Sequence, residues 1–246
     1  ARAHPVVDAD PAALADLDVP ARAAGQLAAS LGDEESIQAK RFRFPVHWER
    51  FIARRGVLRF VLGRYLGIEP AALEFRRSSY GKPYLGDGHD PDLRFNCSHS
   101  GSLALIAVTR GREVGVDLER VKPDFSDDSI PESFFAPREA AMLRALPARQ
   151  QPEAFFELWV RKEAYVKARG MGLSLALDSF EVPLGDDEPV VSLPAGQDTA
   201  EPGRWTMTGL RPAPSHPAAL VVEGKACTLR RWKWSLPGRP SGTGQY

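Results

Sequence analysis

Residues 159–167 read Trp-Val-Arg-Lys-Glu-Ala-Tyr-Val-Lys, and residues 115–119 read Gly-Val-Asp-Leu-Glu. On a helix, the first stretch places Glu163 and Lys167 one turn apart. On a strand, the second places Asp117 and Glu119 on one face, because alternate side chains point the same way. Three carboxylates and a lysine that meet around one point would suit a divalent metal holding phosphates. The two stretches therefore indicate a short strand beside a long helix.

The composition is that of an ordinary globular protein. The chain has 246 residues, 43% of them hydrophobic and 26% charged, which is enough for one large domain or two small ones. Basic and acidic residues both number 32, and the zero formal charge argues against wholesale binding of nucleic acid or membranes. No apolar run approaches the roughly 18 residues of a membrane span, and the first ten residues lack the apolar core of a signal peptide. We therefore expect a cytoplasmic protein in which Cys97 and Cys227 are buried thiols.

Hydrophobic periodicity and turn residues predict the elements along the chain. The predicted helices cover residues 11–40, as one or two helices, and residues 48–65, 137–145 and 152–169. The predicted strands cover residues 75–79, 93–97, 103–109, 114–119, 179–184, 203–210, 218–223 and 228–234. Residues 98–101 are predicted as a turn or a helix start. Two Ser-His pairs, beginning at Ser98 and Ser215, each precede an apolar strand and indicate a duplicated, two-lobe architecture.

The carboxylates of Asp117 and Glu119 allow two interpretations. Side by side on a strand they repel each other unless a cation lies between them, and a hard cation such as Mg²⁺ is bound by oxygen ligands. The alternative is a pair of solvated carboxylates near a strand end. The sequence pattern alone leaves both open.

The helix of residues 152–169 raises a similar choice. Glu163 and Lys167 could form a simple helix salt bridge. Trp159 lies on the same stripe, however, and a half-buried stripe favours a cleft. We interpret Arg161 and Lys162 as solvated helix charges.

Two further groups could bind phosphate. Ser98 and His99, with free backbone amides at a turn, could bind phosphate oxygens. A basic helix face could form an anion site or could simply be solvated, and it consists of Arg55 with Arg50, Arg54 and Arg59.

Five motifs in this order resemble the 4′-phosphopantetheinyl transferases of the surfactin (Sfp) type. They are Gly81-Lys82-Pro83, Asn96-Cys97-Ser98-His99-Ser100, the two stretches quoted first, and the glycine-rich helix exit at residues 170–175. The resemblance implies an α+β fold of two similar lobes related by a pseudo-twofold axis. Each lobe would pack a small antiparallel sheet on a long helix, in a single-chain monomer. We assign residues 1–111 to an N-terminal lobe on the nucleotide and phosphate side of coenzyme A, residues 112–236 to a C-terminal lobe with the metal and catalytic residues, and residues 237–246 to a flexible tail.

The resemblance also implies a reaction. The 4′-phosphopantetheine arm of coenzyme A would pass to a serine of an apo acyl or peptidyl carrier protein, with Mg²⁺, and 3′,5′-ADP would leave. Metal binding would fall to Asp117, Glu119 and Glu163. Glu163 is the first candidate to take the serine proton and Glu119 its rival, while Lys167 would contact the pyrophosphate. Coenzyme A would be bound by Ser98, His99, Arg55, more loosely Arg50, Lys167 and, at the nucleotide end, Gly81, Lys82 and Pro83.

The implied partner is a small acidic helical carrier protein. Phe125, Phe134 and Phe135 could form part of its docking surface or could be core residues. Two other functions compete with the transferase. A Mg²⁺-dependent nuclease would predict more net positive charge, and a non-catalytic module that binds coenzyme A or a carrier would tolerate loss of the carboxylates.

Overall fold

A computed structural model describes residues 10–122, 134–184, 202–224 and 229–235. The helices in these ranges are α1 (Ala21–Ala29), α2 (Asp33–Ala39), α3 (Pro45–Leu66), α4 (Pro137–Ala145) and α5 (Gln151–Arg169). The strands are β1 (Asp10–Asp16), β2 (Phe75–Arg77), β3 (Pro83–Leu85), β4 (Leu93–Ser100), β5 (Leu103–Arg110), β6 (Val114–Leu118), β7 (Trp205–Ala213), β8 (His216–Glu223) and β9 (Leu229–Lys233). No helix in the described ranges is long and apolar enough to cross a membrane.

Two sheets, each covered by one long helix, form the two lobes. The first sheet has the order β4-β5-β1-β9, and its apolar side packs on α3. The second has the order β6-β8-β7 and packs on α5. The predicted α+β class with two similar lobes is confirmed. All pairings in both sheets are antiparallel except that of β1 with β9, which is parallel.

The chain changes sheets twice. It leaves the first sheet after β5 and enters the second at β6, and β9 later returns to lie beside β1. A division of the chain after residue 111 stays a prediction, and residues 237–246, like Cys227 and Phe125, lie outside the described ranges. Cys97 is a free, half-buried thiol.

The two long helices begin and end as their sequences predict. Proline occupies the first turn of α3 and α5, where a missing N–H costs nothing. Gly67 and Gly170 end them at φ +69° and +67°, a left-handed conformation that glycine adopts without strain. The predictions for residues 48–65, 137–145 and 152–169 are confirmed.

Two predictions in the first lobe are wrong. Residues 10–16 form strand β1 instead of a helix, and β1 lies between β5 and β9 with both faces buried. When both faces are buried, a short apolar run lacks the alternation of apolar and polar residues that would distinguish a strand from a helix. Ser98 and His99 lie within β4, where they pair with Leu105 and Ala104, and the turn comes only at Gly101. Ser98 and His99 therefore lie in an edge strand of the sheet and not at a turn.

Two predictions in the second lobe are also wrong. Lys162 is fully buried, not solvated, and forms an ion pair with Glu139 at 2.7 Å; Arg161 is buried as well. No strand forms over residues 179–184. The Lys162 ammonium donates to the carbonyls of Leu177 (2.7 Å) and Phe180 (2.5 Å), so this segment's backbone bonds to the ion pair, and Glu181 alone forms an isolated β-bridge.

Candidate active site

Strand β6 runs directly against the backbone of α5 at Gly115. A Cβ atom added there would lie 2.0 Å from the Ala164 carbonyl oxygen and 2.3 Å from the Ala168 nitrogen. Val114, Val116 and Leu118 point the other way, into a core shared with β5 and β8. Asp117, two residues after Gly115, shares its face. The missing side chain at Gly115 therefore lets Asp117 approach α5.

Asp117 joins both lobes through one buried carboxylate. Its Oδ1 atom accepts from Lys167 Nζ at 2.5 Å and from Ser98 Oγ at 2.6 Å, and Lys167 Nζ also lies 3.3 Å from Ser98 Oγ. Its Oδ2 atom is buried and has no hydrogen-bond partner among the residues that the structure describes. A buried carboxylate oxygen without a donor is costly, so this atom marks where a further cation or donor would be stabilised.

Glu119 and Glu163 border the same point, and the pKa of each is raised. Burial, then the negative charges of Asp117 and Glu119, raise the pKa of Glu163. Burial also raises the pKa of Glu119, while the 2.7 Å hydrogen bond from Ser100 opposes the shift. The three predicted carboxylates are therefore close enough to repel one another.

Side chains on β4 reach across to β6 at every second position. Arg94 Nε donates to Glu113 (3.0 Å), Asn96 accepts from the Val116 amide (2.9 Å), Ser98 donates to Asp117 and Ser100 to Glu119. We call these four contacts the β4–β6 seam. The two strands belong to different sheets, so side chains and not a backbone ladder hold the lobes in register here.

A metal ion would find suitable donors at the end of this seam. Among the described ranges, no three His, Cys, Asp or Glu side chains are grouped so that they could hold a metal ion. The chemistry of the donors nevertheless fits a hard cation, which prefers carboxylate oxygens. Asp117 Oδ2 lacks a partner, and a cation between Glu119 and Glu163 would remove their repulsion.

His99 faces the basic helix α3 at a single arginine. Arg54 Nη1 lies 3.3 Å from His99 Nδ1. Partial burial of the ring, and then the positive charges of Arg54 and Lys167, lower the pKa of His99 to about 4. His99 as a residue is exposed to solvent. Positive groups that converge without a carboxylate between them favour an anion.

Three other arginines of α3 are engaged elsewhere. Glu35 on α2 forms ion pairs with both Arg55 and Arg59, the latter at 2.5 Å, and both guanidinium groups lie over the Phe75 ring. Arg50 forms a two-point salt bridge with Asp18. The structure thus brings Arg54 to His99, whereas the sequence singled out Arg55 and Arg50. No sequence signal shows that Arg54, and not the adjacent Arg55, faces His99, because the two differ by only one position along the helix.

The Gly81-Lys82-Pro83 motif forms the turn between β2 and β3. Gly81 has φ +83°, and Lys82 and Pro83 line a cleft of about 710 Å³ that also touches Arg94, Glu113 and Gly170. None of the site carboxylates lines this cleft. It lies at the Arg94 end of the β4–β6 seam, and Asp117 and Glu119 lie towards the other end.

The aromatic residues before α4 divide between core and surface. Phe135 is buried edge-on against Phe155, with ring centroids 5.3 Å apart. Phe134 is 39% exposed and meets Trp159 edge-on at 5.6 Å. Of these two, only Phe134 is available to a partner.

Comparison with known proteins shows the family. Residues 113–221 match the 4′-phosphopantetheinyl transferase superfamily, and residues 20–111 match the 4′-phosphopantetheinyl transferase N-terminal family. The 4′-phosphopantetheinyl transferase HetI of Nostoc sp. is 42% identical over 219 residues, which cover 89% of this chain and 89% of that protein. The chain belongs to the 4′-phosphopantetheinyl transferase superfamily.

A second relative is of the same type, and one solved structure shows a partial likeness. The 4′-phosphopantetheinyl transferase Sfp of Bacillus subtilis is 33% identical over 165 residues, covering 66% of this chain and 71% of that protein. The holo-[acyl-carrier-protein] synthase of Thermotoga maritima has a TM-score of 0.36 and 21% identity, over 46% of this chain and 64% of that chain. The predicted Sfp type and enzyme class are confirmed, and this class leaves the nuclease and the non-catalytic module without support.

Proposed function

We propose that this protein transfers the 4′-phosphopantetheine arm of coenzyme A to a serine of an apo carrier protein, with Mg²⁺, and releases 3′,5′-ADP. The observation that carries the proposal is the contact of Asp117, Ser98 and Lys167 at the junction of the lobes. A buried carboxylate with one oxygen unpartnered and a lysine beside it suits a polyphosphate and its cation. The family membership supplies the substrate class.

Asp117, Glu119 and Glu163 would hold the cation. A bound Mg²⁺ would supply charge neutralisation at the phosphoanhydride that breaks. Lys167, fixed at 2.5 Å from Asp117, would hold a pyrophosphate oxygen and stabilise the charge of the departing group.

Glu163 is the residue that we assign as general base. No hydrogen bond reaches it from the described part of the chain, whereas Glu119 accepts from the Ser100 hydroxyl, which itself accepts from the Arg120 amide. Glu163 is therefore the freer of the two to accept the proton of the carrier serine.

Arg54 and His99 would bind the 3′-phosphate of coenzyme A. The two groups converge, and Arg54 has no acidic partner among the described residues, unlike Arg50, Arg55 and Arg59. The turn of Gly81 and Pro83 would border the nucleotide end through its backbone. A monomeric state, a cytoplasmic location and the choice among fatty-acid, polyketide and nonribosomal-peptide carriers stay predictions.

Intact-mass spectrometry tests the proposal. A panel of apo carrier proteins would be incubated with this protein, coenzyme A and Mg²⁺, beside a sample containing EDTA. We expect at least one carrier to gain the mass of one phosphopantetheine arm, and the gain to vanish with EDTA. Coenzyme A that binds without modifying any carrier would contradict the proposal, and transfer that persists in EDTA would contradict its metal.

A further inference from the structure

The side chain of Lys82 leaves the first lobe and ends in the second. Its ammonium donates to Glu113 Oε2 at 2.7 Å, to the Val114 carbonyl at 3.1 Å and to the Ala168 carbonyl at 3.2 Å. An ammonium has three protons to donate, and all three are used. The side chain is only 16% exposed. Lys82 is therefore a cross-link between elements and has no proton left for a ligand.

Two of the three acceptors belong to the elements that carry the active site, and the third, Glu113, directly precedes β6. Val114 is the first residue of β6, the strand of Asp117, and Ala168 adjoins Lys167 in the last turn of α5. Carbonyls in the last turn of a helix lack partners within the helix and favour a positive charge. Lys82 supplies that charge and binds the strand and the helix together.

A second contact extends the cross-link to β4. The other oxygen of Glu113 accepts from Arg94 Nε at 3.0 Å, so Glu113 connects Lys82 with the β4–β6 seam. The stem of Lys82 passes close to Gly170, where an added Cβ would lie 3.3 Å from Lys82 Cδ. The turn, β4, β6 and the end of α5 are thus held at one point.

We infer that Lys82 is a positioning residue of the transfer reaction, which sets the distance between Asp117 and Lys167 by fixing β6 to the end of α5. The inference rests on the proposed function. It also changes one expectation from the sequence, because the ammonium of Lys82 binds acceptors of the protein and not the nucleotide of coenzyme A. Catalysis is sensitive to such placement, since a shift of about 1 Å can cost about 100-fold in rate.

The test compares Lys82→Met, which keeps the stem and removes the charge, with Lys233→Met. Lys233 is an exposed residue of β9 and serves as the matched control. We expect Lys82→Met to lower kcat for carrier modification about 10- to 100-fold and to leave KM for coenzyme A within about twofold, at a temperature where circular dichroism shows both variants folded. Lys233→Met should match the unaltered protein.

Glu113→Gln provides a second variant that keeps the shape of the site. It should lower kcat in the same way, and the double variant should lose little more than Lys82→Met alone, because both changes break one cross-link. If Lys82→Met does not fold, the kcat and the KM for coenzyme A of Glu113→Gln alone test the inference. A variant with unchanged kcat, or one in which KM for coenzyme A rises while kcat holds, overturns the inference. An unaltered protein that modifies no carrier refutes the proposed function, and the inference falls with it.

Discussion

Gly115→Ala should separate strand β6 from helix α5 and so disable the active site. The new Cβ atom would lie 2.0 Å from the Ala164 carbonyl oxygen, 2.3 Å from the Ala168 nitrogen and 2.9 Å from the Ala168 Cα. Non-bonded heavy atoms pack best at about 3.5–4.0 Å. All three atoms belong to helix backbone, which cannot rotate away as a side chain can. The strand must therefore retreat by about 1 Å or more.

The retreat has two measurable consequences. Overpacking of this kind costs about 1–3 kcal/mol of unfolding free energy, which for a chain of this size lowers Tm by about 2–12 °C. Displacement of Asp117 from Lys167 by about 1 Å should lower kcat about 100-fold. Thermal unfolding followed by circular dichroism measures the first, and the rate of carrier modification at 20 °C measures the second.

Gly25→Ala is the matched control. Gly25 lies on the exposed face of α1, where an added Cβ meets nothing within 4 Å. Alanine there should stabilise the protein by about 0.5–1 kcal/mol through helix propensity and leave kcat unchanged. If Gly115→Ala keeps kcat within twofold of the unaltered protein, the close approach at Gly115 does not set the site and the reasoning is refuted.

Four further predictions concern single side chains. Glu163→Gln should abolish carrier modification without lowering Tm, because it removes a repelled negative charge; substantial residual transfer would remove Glu163 from the mechanism. Arg54→Ala should weaken the binding of coenzyme A, measured by calorimetry, but not the binding of 3′-dephospho-coenzyme A, and Arg50→Ala serves as the control. An equal loss of affinity for both ligands would show that Arg54 does not bind the 3′-phosphate. His99 has a pKa of about 4 in the folded protein, below its ordinary value of 6.5, so its share of stability is present above pH 6.5 and is lost as the pH falls towards 4. A bound phosphate should raise the pKa of His99 again, so the protein should take up a proton when it binds coenzyme A at pH 6. Calorimetry should show this uptake as a binding heat that depends on the ionisation heat of the buffer, and the dependence should disappear in His99→Gln. Lys162→Met should lower the free energy of unfolding, measured in urea, by about 3–5 kcal/mol because it leaves Glu139 buried without its ion-pair partner. Adding Glu139→Leu should recover part of this stability, and an equally unstable double variant would contradict the explanation.

Much of the site follows from spacing alone. The i and i+2 positions of Asp117 and Glu119 place both carboxylates on one face of any strand, and the i and i+4 positions of Glu163 and Lys167 place both on one side of any helix. Proline and glycine at the ends of α3 and α5 mark those helices equally well. These predictions succeed because each depends only on local backbone geometry.

Other features depend on what an element packs against. The sequence pattern predicts the wrong structure for residues 10–16 and 179–184 because their backbone partners lie far away in sequence. These partners are β5 and β9 for the first segment and the Lys162–Glu139 pair for the second. The sequence also does not show which of the neighbouring arginines is paired with a carboxylate. Glu35 engages Arg55 and leaves Arg54 to face His99, a difference of one helix position.

The sequence by itself determined the family and the two long helices, because the motifs consist of short-range spacings with a chemical meaning. Only the tertiary structure decided which charges are available for chemistry. Lys82, Lys162 and Arg55 look like surface cations in the sequence, yet each is held by a carboxylate from another element. Whether a charge is solvated, paired or unpartnered depends on contacts between different elements, and those contacts form only when the elements pack together.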